Sequence, residues 1–207
     1  MKQLATVFLL FGFVLSYPAW AGDAAAGKAG YTACQACHGA NGEGSATANG
    51  PALAGLGEWY LVRQLNNFKQ GIRGTHPEDA LGAQMRPMAM MLADDTAVAD
   101  VAAYIASLPA AKNAATLGGN ADAGKGLYTT CATCHGARAE GNKALNGPSL
   151  AGFQDWYLVA QLQNFKAGIR GGDPKDGFGA QMQPMAMMLA DDQAIKDVAA
   201  YIVTLGQ

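Results

Sequence analysis

The sequence predicts an all-α protein built from two tandem copies of one domain, and three observations lead there. The stretch Cys34-Gln35-Ala36-Cys37-His38 recurs 97 residues later as Cys131-Ala132-Thr133-Cys134-His135, and the offset holds without a gap through both copies. Within each copy apolar residues recur at 3.6-residue spacing between glycine-rich stretches, with no sustained period-two alternation. The composition, 50% hydrophobic and 14% charged over 207 residues, is that of a soluble globular chain of one or two domains.

The elements follow in order. Met1 and Lys2 precede an apolar run at 4–15, then Pro18-Ala19-Trp20-Ala21, which together make the basic start, apolar middle and small-residue site of a cleaved signal peptide over residues 1–21. Twelve apolar residues fall short of the about 20 needed to span a bilayer, so a soluble, exported mature chain is expected. The first domain is expected at 22–108, a linker with Pro109 at its start and Gly118-Gly119 at its end over 109–119, and the second domain at 120–207. Each domain reads as three helices. The first opens near Asp23 or Asp122 as N-cap and runs into the Cys-x-x-Cys-His motif. The middle one covers 58–70 or 155–167, with Leu61, Leu65 and Phe68, or Leu158, Leu162 and Phe165, on its apolar face. The last begins at Asp94-Asp95 or Asp191-Asp192 and buries Val98, Val101, Ile105 and Leu108, or Ile195, Val198, Ile202 and Leu205. The methionine-bearing segments between middle and last helices read as loops.

Charge and motif narrow the function. A formal charge of −2 with no long basic run excludes a nucleic-acid footprint. Domains this small, with three modest helices, bury little apolar surface, so a large apolar cofactor is needed to complete the interior. On a helix, Cys at i and i+3 share a face and His at i+4 stands beside them; two thiols can then form thioethers to one planar ligand while the imidazole reaches its metal, the pattern of c-type haem attachment. A zinc site would need a second cysteine pair within each domain, and a thiol–disulfide motif would need a mixed α/β setting; neither is present in the pattern. Electron transfer also needs a sixth iron ligand, and thioether sulfur raises the reduction potential. Four methionines per copy are candidates: Met85, Met88, Met90 and Met91, matched by Met182, Met185, Met187 and Met188. Met90, Met91, Met187 and Met188 read as packing residues near the last helix. His76 reads as a solvated loop side chain, Trp59 and Trp156 as core, and Arg73 and Arg170 as exposed loop arginines or partners of haem propionates.

These motifs, with 49–55 and 146–152 (Asn-Gly-Pro-Ala/Ser-Leu-Ala-Gly), the Trp-Tyr-Leu-Val helix starts and the methionine segments leading into 100–105 and 197–202, resemble the dihaem cytochrome c4 family of tandem class I cytochrome c domains. The resemblance covers both domains. It implies two covalently bound haem c groups held by Cys34, Cys37, Cys131 and Cys134. It implies iron ligation by His38 with Met85 and by His135 with Met182, each methionine lying seven residues before Leu92 or Leu189. It also implies that the carbonyls of Pro51 and Pro148 orient the two imidazoles, and that Gly27 or Gly124 lets the first helix cross the last near Tyr104 or Tyr201. The implied function is periplasmic electron transport without substrate chemistry, from a donor such as the bc1 complex or a dehydrogenase to a terminal oxidase or reductase, with peripheral membrane association through these partners. The competing reading is a dihaem peroxidase or haem sensor with one open iron; matched candidate ligands in both halves argue against it.

Overall fold

The computed structural model describes residues 22–206; the expected signal peptide lies outside the described residues. The first repeat contains α1 (Ala24–Gly30), α2 (Gln35–His38), α3 (Glu58–Lys69), α4 (Ala80–Met90) and α5 (Asp95–Ser107). The second contains α6 (Ala121–His135), α7 (Asp155–Lys166), α8 (Gly177–Ala180), α9 (Met182–Met187) and α10 (Asp192–Leu205). Among the described residues no strand forms, and two isolated bridges, Ser45 with Gly50 and Asn142 with Gly147, pinch the loops that follow the motifs.

Helix starts follow local chemistry. Asp94 and Asp191 cap α5 and α10, their carboxylates accepting from Ala97 N at 2.9 Å and Ala194 N at 2.8 Å. Asp23 caps α1 in the same way, accepting from Ala25 N and Ala26 N. The second domain departs from expectation: Asn120, not Asp122, is the cap of α6, and Asp122 lies inside the first turn, where its charge favours the helix N-terminus. The methionine segments also depart from it. They are helical, α4 running through Pro87 and α8 and α9 covering the same stretch in the second copy. Proline within α4 removes one amide donor without breaking the helix, because the surrounding Ala, Leu, Gln and Met residues are good helix formers.

Val98, Val101, Ile105, Ile195, Val198 and Ile202 are buried as their spacing predicts, whereas Leu108 and Leu205, at the C-terminal ends of α5 and α10, are half-buried. Helix α1 crosses α5, and α6 crosses α10, at distances only glycine allows. A Cβ on Gly27 would stand 1.9 Å from the Asp100 carbonyl oxygen, and one on Gly124 2.0 Å from that of Asp197. One turn on, Tyr31 meets Tyr104 with ring centroids 5.4 Å apart, and Tyr128 meets Tyr201 at 5.6 Å. Buried side chains of both repeats join in one cluster, including Tyr60 and Leu61 from α3 and Leu158 and Val159 from α7.

The segment between the domains is mostly exposed but anchored. Asp155, only 1% exposed, accepts from Thr116 N, from Thr116 Oγ1 at 2.9 Å and from Leu117 N at 2.7 Å. Asn113 Nδ2 donates to the Gly152 carbonyl at 2.6 Å.

Candidate functional site

The two histidines are built alike. His38 ends α2 and His135 ends α6, each followed by a glycine at positive φ (Gly39, +81°; Gly136, +83°) that turns the chain sharply away. Each histidine is 5% exposed. Nδ1 of His38 donates to the Pro51 carbonyl and Nδ1 of His135 to that of Pro148, both at 2.8 Å. Burial lowers the pKa of each ring, against the opposing pull of the proline carbonyl, so both imidazoles favour the neutral, ligand-competent form. With Nδ1 occupied as a donor, Nε2 carries the lone pair, which is the arrangement that fixes a metal-binding tautomer.

The proline loop is pressed against the motif itself. A Cβ on Gly50 would lie 2.0 Å from the Cys37 carbonyl oxygen, and one on Gly147 2.0 Å from that of Cys134, so only glycine permits the approach. Asn49 and Asn146 precede these glycines with φ of 54° and 57°, a left-handed conformation that asparagine tolerates better than most residues.

In the first domain a cavity of about 400 Å³ opens in front of His38, within the roughly 300–1,000 Å³ range of small-molecule sites. Cys34, Cys37, Pro51, Leu61, Phe68, Met85 and Met88 line it, and the C-terminal domain contributes Phe153, Trp156 and Tyr157 from the far side. No disulfide joins the four cysteines, and burial, reinforced by the neighbouring cysteine, pushes the Cys34 thiol upward in pKa; burial likewise raises Cys131. Met90, Met91, Met187 and Met188 do not pack as expected: they are 61–65% exposed at the ends of α4 and α9. The half-buried pairs are Met85 with Met88 and Met182 with Met185.

Arg73 and Arg170 are not exposed loop arginines. They form a crossed pair between the domains. Arg170, 8% exposed, donates to Gln161 of its own domain at 2.7 Å and across to the Tyr60 hydroxyl at 2.9 Å and Gln64 at 3.1 Å. Arg73 repeats the pattern, donating to Gln64 at 2.7 Å and across to the Tyr157 hydroxyl at 3.2 Å and Gln161 at 2.8 Å. Burial pushes Tyr157 up, but the two guanidiniums outweigh it and hold its phenol below the usual range. The sequence carried one clue, the repetition of Ile-Arg-Gly in both copies, but not the partners. His76 is exposed and accepts only a local bond from Glu78 N at 3.3 Å, as expected of a solvated loop residue.

The residues fit a haem. Paired thiols and a buried neutral imidazole share one cavity with apolar walls and thioethers. Two buried donors that line it, Trp156 Nε1 and Arg73, whose Nε has no acceptor in the protein, suit the carboxylates at a haem edge.

Comparison with known proteins agrees with this construction. The family model described as cytochrome c matches twice, at residues 24–109 and 121–206. Cytochrome c4 of Azotobacter vinelandii is 36% identical over 210 residues, covering 96% of this chain and 95% of that protein. A protein named thiosulfate dehydrogenase electron acceptor, from Stutzerimonas stutzeri, is 34% identical over 188 residues, covering 84% of this chain and 80% of its own. The crystal structure of reduced recombinant cytochrome c4 from Pseudomonas stutzeri superposes with a TM-score of 0.73 at 32% identity, covering 88% of this chain and 98% of that one. With the duplicated histidine geometry, the tandem family match and near full-length likeness to cytochrome c4, the chain belongs to the dihaem cytochrome c4 family.

Proposed function

We propose that this electron-carrying cytochrome holds two covalent haem c groups with His/Met coordination at both irons, and moves electrons between redox proteins of the periplasm without substrate chemistry of its own. The observation that carries the reading is the buried histidine with Nδ1 held at 2.8 Å by a proline carbonyl, repeated in both domains beside paired thiols. Haem, when bound, supplies an iron that changes oxidation state by one electron. The chain does the rest. Cys34 and Cys37, and Cys131 and Cys134, would hold the haem groups; Pro51 and Pro148 hold the imidazoles of His38 and His135 in one orientation, and those imidazoles with Met85 and Met182 would ligate the irons. Apolar walls exclude water, which lowers reorganisation on electron transfer and favours the reduced state.

Donors such as the bc1 complex or a dehydrogenase, and an acceptor such as a terminal oxidase, are the partner classes this reading implies. The likeness to a protein named as an electron acceptor of thiosulfate dehydrogenase supports a dehydrogenase as donor. Among the described residues no helix is long and apolar enough to cross a membrane.

Absorption spectra of periplasmically matured protein, oxidised, reduced and reduced under carbon monoxide, test the reading together with haem content. Two covalent haems per chain, low-spin and indifferent to carbon monoxide, are expected. A carbon monoxide adduct in the wild type overturns closed His/Met coordination and brings peroxidase or sensor chemistry forward. Met85→Ala is expected to open one site of the two to carbon monoxide and Met88→Ala neither; the reverse result moves the ligand to Met88.

A further inference from the structure

We propose that each domain positions the histidine-orienting loop of the other, and that the two do so with chemically different side chains: Arg63 braces the C-terminal loop and Gln154 the N-terminal loop. The proposal rests on the reading that His38 and His135 are iron ligands.

Arg63, on α3, sends its guanidinium across the interface. One terminal nitrogen donates to Asn146 Oδ1 at 3.2 Å and the other to the Asn146 carbonyl at 3.4 Å. Asn146 stands in the left-handed conformation two residues before Pro148, whose carbonyl accepts from His135. The guanidinium is stacked between aromatics of both domains, 4.9 Å from the ring centroid of Trp59 and 4.6 Å from that of Phe178, which limits its freedom to leave. In the other direction, the Gln154 side chain accepts from Ala52 N at 2.9 Å and donates to the Glu43 carbonyl at 2.9 Å. Ala52 directly follows Pro51, whose carbonyl accepts from His38.

Neither brace is duplicated. The position matching Arg63 is Ala160, and the position matching Gln154 is Gly57; neither has a side chain that could reach. The C-terminal loop is therefore held by a permanent cation and the N-terminal loop by a neutral amide. A cation beside an iron site favours the reduced, less positive state, so Arg63 selectively raises the C-terminal potential; Gln154 sets geometry without adding charge.

The test uses full-length, haem-loaded protein and site-assigned redox titration, with the paramagnetically shifted NMR signals of each haem as a second readout. Arg63→Gln is expected to shift the oxidised-to-reduced ratio of the C-terminal haem at least threefold toward oxidised at fixed ambient potential, about 28 mV on a one-electron scale. The N-terminal ratio should move by less. Arg63→Lys, which keeps the charge, is expected to recover most of the shift. Gln154→Ala is expected to move the NMR signals of the N-terminal haem and leave those of the C-terminal haem in place. If each variant perturbs the haem of its own domain more than that of the other, or both haems equally, the cross-bracing is overturned. Should Arg63→Gln fail to fold, Gln154→Ala alone decides: an uncharged substitution in the C-terminal domain must still move the N-terminal signals and leave the C-terminal ones in place. Haem content and carbon monoxide binding of the wild type report separately on the ligand reading itself.

Discussion

The two domains share a site but not a helix pattern. In the N-terminal copy the first helix is broken, α1 passing through a 3-10 turn at Tyr31–Ala33 before α2, whereas its C-terminal counterpart α6 is continuous over 15 residues. For the methionine helix the order reverses: α4 is continuous and the second copy is split into α8 and α9. Glycine lies at or near each break. Gly30 ends α1 where α6 has Leu127, and the first turn of α8 carries Gly177 and Gly179 where α4 has Ala80 and only Gly82. The histidine-to-proline bond is 2.8 Å in both domains regardless. Helix continuity is thus a local matter that the site tolerates, while the close approaches at Gly27, Gly124, Gly50 and Gly147 are what both copies keep.

The largest effect expected from that contrast lies at the shared crossings. Gly27→Val and Gly124→Val should each cost on the order of 3 kcal/mol or more, since the new side chain meets backbone that cannot yield. Urea unfolding of the haem-loaded protein reads both, and clearly unequal losses would show that the domains do not depend on the crossing alike. Next come the arginines, paired by pattern but unequal in burial. Arg170→Gln should cost about 2 kcal/mol and Arg73→Gln about 1 kcal/mol, because Arg170 leaves the more deeply buried partners unsatisfied. Equal values from the same unfolding experiment would mean that the interface is energetically symmetric. The smallest effect sharpens the helix comparison directly. Gly177→Ala introduces the residue of the N-terminal copy at a place where a Cβ meets nothing within 4 Å. It should stabilise the protein by about 0.5–1 kcal/mol, with a small gain in helical circular dichroism.

Much of this was legible in the residues. The gapless repeat located both motifs, and the Asp-Asp pairs located the starts of α5 and α10. The same offset, carried from Asp23, points to Asn120 as the cap of α6; the nearby Asp122 also suits a helix start, so residue type alone does not separate the two. The methionine segments read as loops because Pro87 and Pro184 signal a break, yet neighbouring good helix formers and packing against α3 and α7 carry the helix through. Met90 and Met91 look like core by composition, and only their position at the corner between α4 and α5 puts them in solvent.

What the sequence determined by itself is what acts within a few residues along the chain. Thiol and imidazole spacing, helix caps, glycines at tight turns and the duplication are all of this kind, since each depends on backbone geometry that neighbours in sequence set. What only the tertiary structure decided is which distant groups meet. Arg170 finds Tyr60 at a separation of 110 residues, Gln154 finds Glu43 at 111 and Arg63 finds Asn146 at 83. Such pairs depend on how the two repeats meet through their shared buried cluster, and a side chain in the sequence carries no record of the distant residue that will lie opposite it.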